Sequence, residues 1–209
     1  MSDTTILAWY FSDESRTLRH GDGRKIELGC SHEVEGNPVL CEHGLHASVK
    51  LLDALRYAPG PVVYRVELSG EIAIGDDKIV AQKRTYLAGG IDVSDVLMAF
   101  ARKQALSVAH LWDMPDVVKE YLETGNESLN TEAQDAARAA TWNAARVTTG
   151  NAVGAAWATA NAANAANTVW DLRATAWADA EKMLTDMINE AIEAAKKQGY
   201  IGFEKKEEL

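Results

Sequence analysis

Cys41-Glu-His-Gly-Leu-His-Ala-Ser-Val-Lys-Leu-Leu-Asp-Ala-Leu-Arg-Tyr-Ala-Pro-Gly60 concentrates the chain's reactive side chains and sets the order of its first part. It reads as a turn, a short extended piece and a punctuated helix. Ser48 is the expected cap of that helix, because its hydroxyl can accept one of the backbone N–H groups that a first turn leaves without a partner. Leu51, Leu52, Leu55 and Ala58 then recur at helical spacing. Pro59-Gly60 ends it, since proline removes a backbone donor and glycine favours a turn.

Strand signals lie on both sides of this helix. Downstream, Val62, Tyr64, Val66 and Leu68 alternate with Val63, Arg65, Glu67 and Ser69, the period-two pattern of a half-buried strand. Ser69-Gly70 interrupts the pattern, Ile72 and Ile74 resume it, and Gly75-Asp76-Asp77 supplies a turn. Lys78–Leu87 then reads as another strand, with Lys83 and Arg84 near its outer end. Upstream, Ile6-Leu7-Ala8-Trp9-Tyr10-Phe11 suits a buried strand, and Gly21-Asp22-Gly23 is a turn able to reverse into an antiparallel neighbour.

Helices follow the sheet. Gly89-Gly90 marks the expected change from strand to helix, with Asp92 or Ser94 as cap and Val93, Val96, Leu97, Phe100 and Ala101 at helical spacing. This helix is expected to run to about Trp112, with a shorter one over Asp116–Glu123, punctuated by Pro115 and Gly125. From Thr131, which forms a capping-box pattern with Gln134, alanine dominates. Alanine loses no side-chain entropy in a helix, so this region is predicted helical, with weak points at Thr148-Thr149, Gly150 and Gly154. The repeat over residues 160–167 offers only small faces, and Trp142, Trp157, Trp170 and Trp177 are the large side chains against which they would pack. Along the last helix, Trp170, Trp177, Leu184 and Ala191 recur every seven residues. Ala180, Met187 and Ala194 fall between them, and Gly199 is a C-terminal cap. The chain is therefore expected to be α+β: a small, mostly antiparallel sheet with packed helices over residues 1–129, then an all-α, alanine-rich region over residues 130–209.

The words Gly44-Leu45-His46-Ala47-Ser48, Asp53-Ala54-Leu55, Tyr57-Ala58-Pro59-Gly60 and Asp77-Lys78-Ile79-Val80-Ala81 occur in that order. With His110-Leu111-Trp112-Asp113 and Glu120-Tyr121-Leu122-Glu123-Thr124-Gly125, they resemble an uncharacterised family of proteins encoded by bacteriophages and bacteria. The resemblance covers most of the first 130 or so residues. It implies a C-terminal alanine-rich helical tail of variable length and a phage or prophage origin.

Lys+Arg number 21 against 31 Asp+Glu, a net charge of −10, so the average field repels nucleic-acid phosphates and anionic lipid. Direct nucleic-acid binding is not expected. No apolar run approaches the roughly 20 residues that cross a bilayer. The first residues lack the pattern of a secretory leader, and the two cysteines suit the reducing cytoplasm of a host cell.

Three chemical constellations stand out. Cys30-Ser31-His32 and Cys41-Glu42-His43 are both Cys-x-His. On strands, each pair would point to one face, and two such pairs on neighbouring strands would make a tetrahedral zinc set with His46 as a spare ligand. The spacing is not the usual two-to-four-residue knuckle, however, and the leading reading of these residues is reduced thiols and surface imidazoles, with no cofactor. His46, between an extended piece and a helix, is the candidate acid–base residue, with Cys41, Asp53, Glu67 or Glu71 as helpers. The order of elements around it has a likeness to some ADP-ribosyltransferase-like domains, although a matching Gln-x-Glu or Glu-x-Glu is missing. Its bland alternative is a histidine that fixes a turn. The third constellation is a nucleophilic thiol at Cys41 or Cys30, with His43 and His46 able to activate Cys41 and Glu42 opposing them, against a buried inert cysteine.

The leading expectation is a non-enzymatic, phage- or prophage-encoded interaction protein that inhibits or modulates a host factor, a defence system among the candidates. Its partner would be a host or phage protein, or a second copy bound through the tryptophans of the tail. The alternative is an ADP-ribosyltransferase-like or metal-dependent enzyme using His46.

Overall fold

The structure, a computed structural model, describes residues 4–107, 109–111, 113–145 and 169–199. Its elements run β1 (Ile6–Ser12), β2 (Ser31–Glu33), β3 (Leu45–Ala47), α1 (Leu51–Arg56), β4 (Val62–Ile74), β5 (Ile79–Asp92), α2 (Ser94–Ser107), α3 (Asp116–Thr124), α4 (Asn130–Ala145) and α5 (Val169–Lys197). Single 3₁₀ turns at Ala109–Leu111 and Glu127–Leu129 precede α3 and α4. The fold is α+β, as expected. It divides into two compact units, Met1–Ser94 with Leu184–Leu209, and Asp95–Met183.

The first unit is built on β4 and β5, an antiparallel hairpin closed by the expected Gly75-Asp76-Asp77 turn. β1 pairs with the free edge of β4, antiparallel, from Ile6 opposite Leu68 to Ser12 opposite Val62. β2 and β3 share the other edge of β5, giving a five-stranded sheet. The chain leaving β3 then reaches β1: Trp9 and Ser48 exchange both main-chain hydrogen bonds, at 2.7 and 3.0 Å. Strands β1, β4, β5 and β3 are thereby linked in a ring, and this bridge protects the exposed edge of β1.

Several local expectations change for identifiable reasons. Ser48 does not cap α1. It is buried in its bridge with Trp9, and Lys50 occupies the cap position without a side-chain bond. The inward face of α1 is Leu51, Asp53 and Ala54, whereas Leu52, Leu55 and Ala58 are only half-buried. The Gly21-Asp22-Gly23 turn does form, but the chain returns only as far as a bridge between Thr17 and Lys25, and β1 pairs with β4 instead. Ser69-Gly70 does not end β4. Gln82 Oε1 accepts the Glu71 N–H at 3.0 Å, so a side chain replaces a ladder bond across the irregularity.

Gly89-Gly90 lies inside β5. Tyr64 pairs with Gly89 and Val63 with Ile91, which leaves Gly90 as the extra residue of a bulge. Both glycines have positive φ, 96° and 70°. A Cβ on Gly89 would lie 2.3 Å from the Val63 carbonyl oxygen. Glycine is needed here because the two main chains approach too closely for any side chain.

In the second unit, α2 starts where Asp92 Oδ1 accepts the Ser94 N–H at 2.8 Å. It ends at Ser107, short of the expected Trp112, whose structure lies outside the described residues. α3 closes on Gly125 in the left-handed conformation, as the punctuation predicts. α4 begins at Asn130, and Gln134 Nε2 donates to Asn130 Oδ1 rather than completing a box with Thr131.

On α5 the described buried row is Leu184, Ile188 and Ile192, four residues apart, all within the part assigned to the first unit. The seven-residue row expected from sequence holds there only at Leu184: Trp177 is exposed and Ala191 half-buried, and of the row between them Met187 is half-buried and Ala194 exposed. The branched side chains at 188 and 192 bury more apolar surface than alanines would, so they select the face. Residues 146–168, with Trp157, the repeat and the proposed weak points, lie outside the described residues, as do residues 200–209.

Gly89→Ala is expected to destabilise the protein by about 3 kcal/mol or more, combining left-handed strain with a main-chain clash. Gly23→Ala, at φ 69° with open space around it, is expected to cost about 1 kcal/mol. Urea denaturation of the two variants checks the order. Equal losses would mean that the bulge is not tightly held.

Candidate functional site

Arg84 and Tyr86 are two residues apart on β5 and meet on one side of it. Arg84 is only 2% exposed. Its Nε and Nη2 donate to the Tyr86 hydroxyl at 3.0 and 2.7 Å, and its Nη1 donates to the His46 carbonyl oxygen at 2.5 Å. The guanidinium lies 3.6 Å from the centroid of the Tyr10 ring and 5.2 Å from that of Tyr86, within cation–π range of both. The sequence placed Arg84 at the outer end of a strand. The structure puts it inside.

His32 sits opposite Arg84 on β2, buried, with Nδ1 3.1 Å from the Tyr86 hydroxyl. That oxygen already accepts two bonds from Arg84, so its own proton is directed to Nδ1 and the imidazole proton is on Nε2. Burial pushes the His32 pKa below its ordinary value, and the cations Arg24 and Arg84 push the same way. Burial also lifts the Tyr86 hydroxyl to about 12, against the pull of Arg84. The rings of Tyr64 and His32 stand edge-on to Tyr86, each at 5.3 Å.

His46 lies on β3, and its Nε2 accepts the Cys41 N–H at 3.0 Å. Its pKa is lowered, first by burial and then by the charges of Lys78 and Arg84, against a main-chain hydrogen bond with Gly44 that favours the charged form. The ring is thus held neutral between main-chain groups, and it secures Cys41 at φ 68°, a conformation uncommon outside glycine. Of its proposed helpers, Asp53 is buried on α1 and lies 3.9 Å from Arg56.

The two Cys-x-His pairs do not both lie on strands. His32 is on β2, but Cys41–His43 forms turns, so the alternation argument fails for that pair. Cys30 Sγ accepts the Glu27 N–H at 3.4 Å, His43 Nε2 meets the Glu35 carbonyl oxygen at 2.6 Å, and Cys41 is exposed. Among the described residues, no group of three or more His, Cys, Asp and Glu side chains is arranged to hold a metal ion. Of the tail tryptophans, Trp177 on α5 is 44% exposed. The side chains of Trp142 and Trp170 lie outside the described residues, as does Trp157.

His46 and Arg84 line a cavity of about 730 Å³ in the first unit, together with Tyr10, Cys41, His43 and Lys78. This lies within the size range of small-molecule sites. Gly44 forms part of its wall, because a Cβ there would lie 2.5 Å from Val80 Cγ2. Tyr57, another lining residue, is 47% exposed; its hydroxyl donates to Asp77 Oδ2 at 2.6 Å and its ring carries the Lys78 ammonium at 4.4 Å. The Tyr57 bond, then the charges of Arg56 and Lys78, lower the Asp77 pKa. Arg84, Tyr86, Lys78 and Tyr57 were missed as site residues. Little in the sequence signalled them, since Arg84 stands in the polar stretch Gln82-Lys83-Arg84-Thr85, which reads as solvent-facing.

The fold favours the neutral forms of His32 and His46, so their contribution to stability is complete above the ordinary imidazole value of 6.5 and is lost as pH falls through their lowered values. Asp22, held at about 2 by Arg24, and Asp77 act only below the carboxylate value of 3.8. The thermal midpoint is therefore expected to fall between pH 7 and pH 5. The double variant His32→Asn/His46→Gln, which keeps the acceptors, should lose that slope. An unchanged slope in the variant would assign it to other groups.

Among the described residues, no helix is long and apolar enough to cross a membrane. No curated protein and no solved structure matches the chain. Residues 16–99, which carry β2 to β5 and the cavity residues except those of β1, match the model of a family described as a domain of unknown function, DUF7666.

Proposed function

We propose that the chain is a non-enzymatic binding protein, phage- or prophage-encoded, that modulates a host factor, with a defence component as the leading class. The cavity of the sheet unit is its recognition element. The observation that carries this reading is the bonding of His46: Nε2 is taken by the Cys41 main chain, and burial holds the ring neutral. A general base needs a free lone pair directed at its substrate. Here that lone pair supports a turn, while a ligand-sized cavity opens beside it. The phage origin rests on the resemblance of the sequence words, and a half-exposed Trp177 on α5 is the kind of side chain that anchors a protein interface.

The test is capture of partners from bacterial lysate by the tagged full chain, with NAD consumption followed in parallel. One protein retained in stoichiometric amount, with no NAD consumed, is the expected result. Turnover that disappears in His46→Gln would transfer the assignment to the enzyme reading.

A further inference from the structure

Arg84 is the feature of this molecule most in need of an explanation. A cation withdrawn from water is normally matched by a carboxylate, because neutral acceptors return only part of the lost hydration. Among the described residues no carboxylate forms an ion pair with Arg84, whose partners are a phenol, a carbonyl oxygen and two aromatic faces. Of the five N–H donors of a guanidinium, three are used in these bonds, leaving one on each terminal nitrogen. The side chain lines the cavity.

Lys78 lines the same cavity, where its ammonium is held by the Cys41 side chain and lies over the Tyr57 ring, and it has no carboxylate ion pair among the described residues. Two cations thus line one cavity. The lining carboxylates offset little of this. Asp22 is committed to Arg24 at 2.7 Å, and Glu42 is exposed. In a chain of net charge −10, a cavity with this local excess of positive charge is set against the overall field.

We infer that this cavity binds a small phosphate-bearing organic molecule, its phosphate held by Arg84 and Lys78 and its organic part lying toward the exposed ring of Tyr57. The inference rests on the reading of the cavity as a binding site. Two cations lining one cavity suit the dianionic charge of a phosphate monoester better than the single charge of a carboxylate, and an arginine fixed by neighbours presents its remaining donors in a set geometry. A volume of about 730 Å³ far exceeds that of a bare phosphate. Tyr57 has Lys78 over its ring yet remains half-exposed, leaving it available to a planar group.

Calorimetry on the full chain with phenyl phosphate, inorganic phosphate and phenol tests this. Phenyl phosphate is expected to bind more tightly than inorganic phosphate, and phenol not to bind. Arg84→Met should weaken phenyl phosphate binding by about tenfold or more, as loss of a charge-assisted donor pair implies. Lys78→Met should weaken it by about threefold. Failure of phenyl phosphate to bind the native chain, or binding unchanged in Lys78→Met and in folded Arg84→Met, would overturn the inference while leaving the capture of a protein partner as a separate result. Binding followed by release of inorganic phosphate would keep the site but overturn the non-enzymatic reading.

Discussion

The main-chain pairing of β4 with β5 is the constraint on which the first unit depends. Every other strand is attached to one of these two: β1 to the free edge of β4, β2 and β3 to the free edge of β5. A ladder this long needs relief, because a regular sheet would twist beyond the reach of its short neighbours. Irregularities at Val63/Tyr64, Arg65/Val66 and Ser69/Ile72 supply it. Ile79, Ala81 and Tyr86 of β5 all belong to one core although their positions differ in parity. Arg84 and Tyr86 lie in that interior, each 2% exposed or less.

Once there, Arg84 ties the strands together by polar means. It reaches β3 through the His46 carbonyl, β1 through the face of Tyr10, and β2 through Tyr86 and His32. A purely apolar residue would pack in the same place without reaching those acceptors, and a buried charge among neutral partners is a costly way to hold a sheet. Stability alone gives little reason for such an arrangement. A site in which positive charge must be present before the ligand arrives gives a direct one, since groups fixed in advance need no reorganisation on binding.

His46 illustrates how the same residue changes meaning with its surroundings. In the sequence it is an imidazole at the mouth of a helix, next to two cysteines and a second histidine. In the structure its Nε2 supports the main chain of Cys41, and its carbonyl supports Arg84. The side chain and the backbone of one residue thus join the turn before β3 to the charged centre of the sheet. Cys30, His32 and His43 are likewise engaged elsewhere: Cys30 by the Glu27 N–H, His32 by the Tyr86 hydroxyl of β5 and His43 by the Glu35 carbonyl.

The alternation of Val62, Tyr64, Val66 and Leu68, the Gly75-Asp76-Asp77 turn, the helical spacing after Asp92 and the glycine at 125 were enough to establish an α+β chain and most element positions. These are local signals, carried by residues within a few positions of one another. Pairing β1 with β4 rather than with its sequence neighbour, placing Gly89-Gly90 inside a strand, choosing Ile188 and Ile192 over the alanine row, and burying Arg84 were decided only in the tertiary structure. Each depends on contacts between residues far apart in the chain, and the charge of an arginine in isolation says nothing of whether water or a tyrosine ring will lie against it.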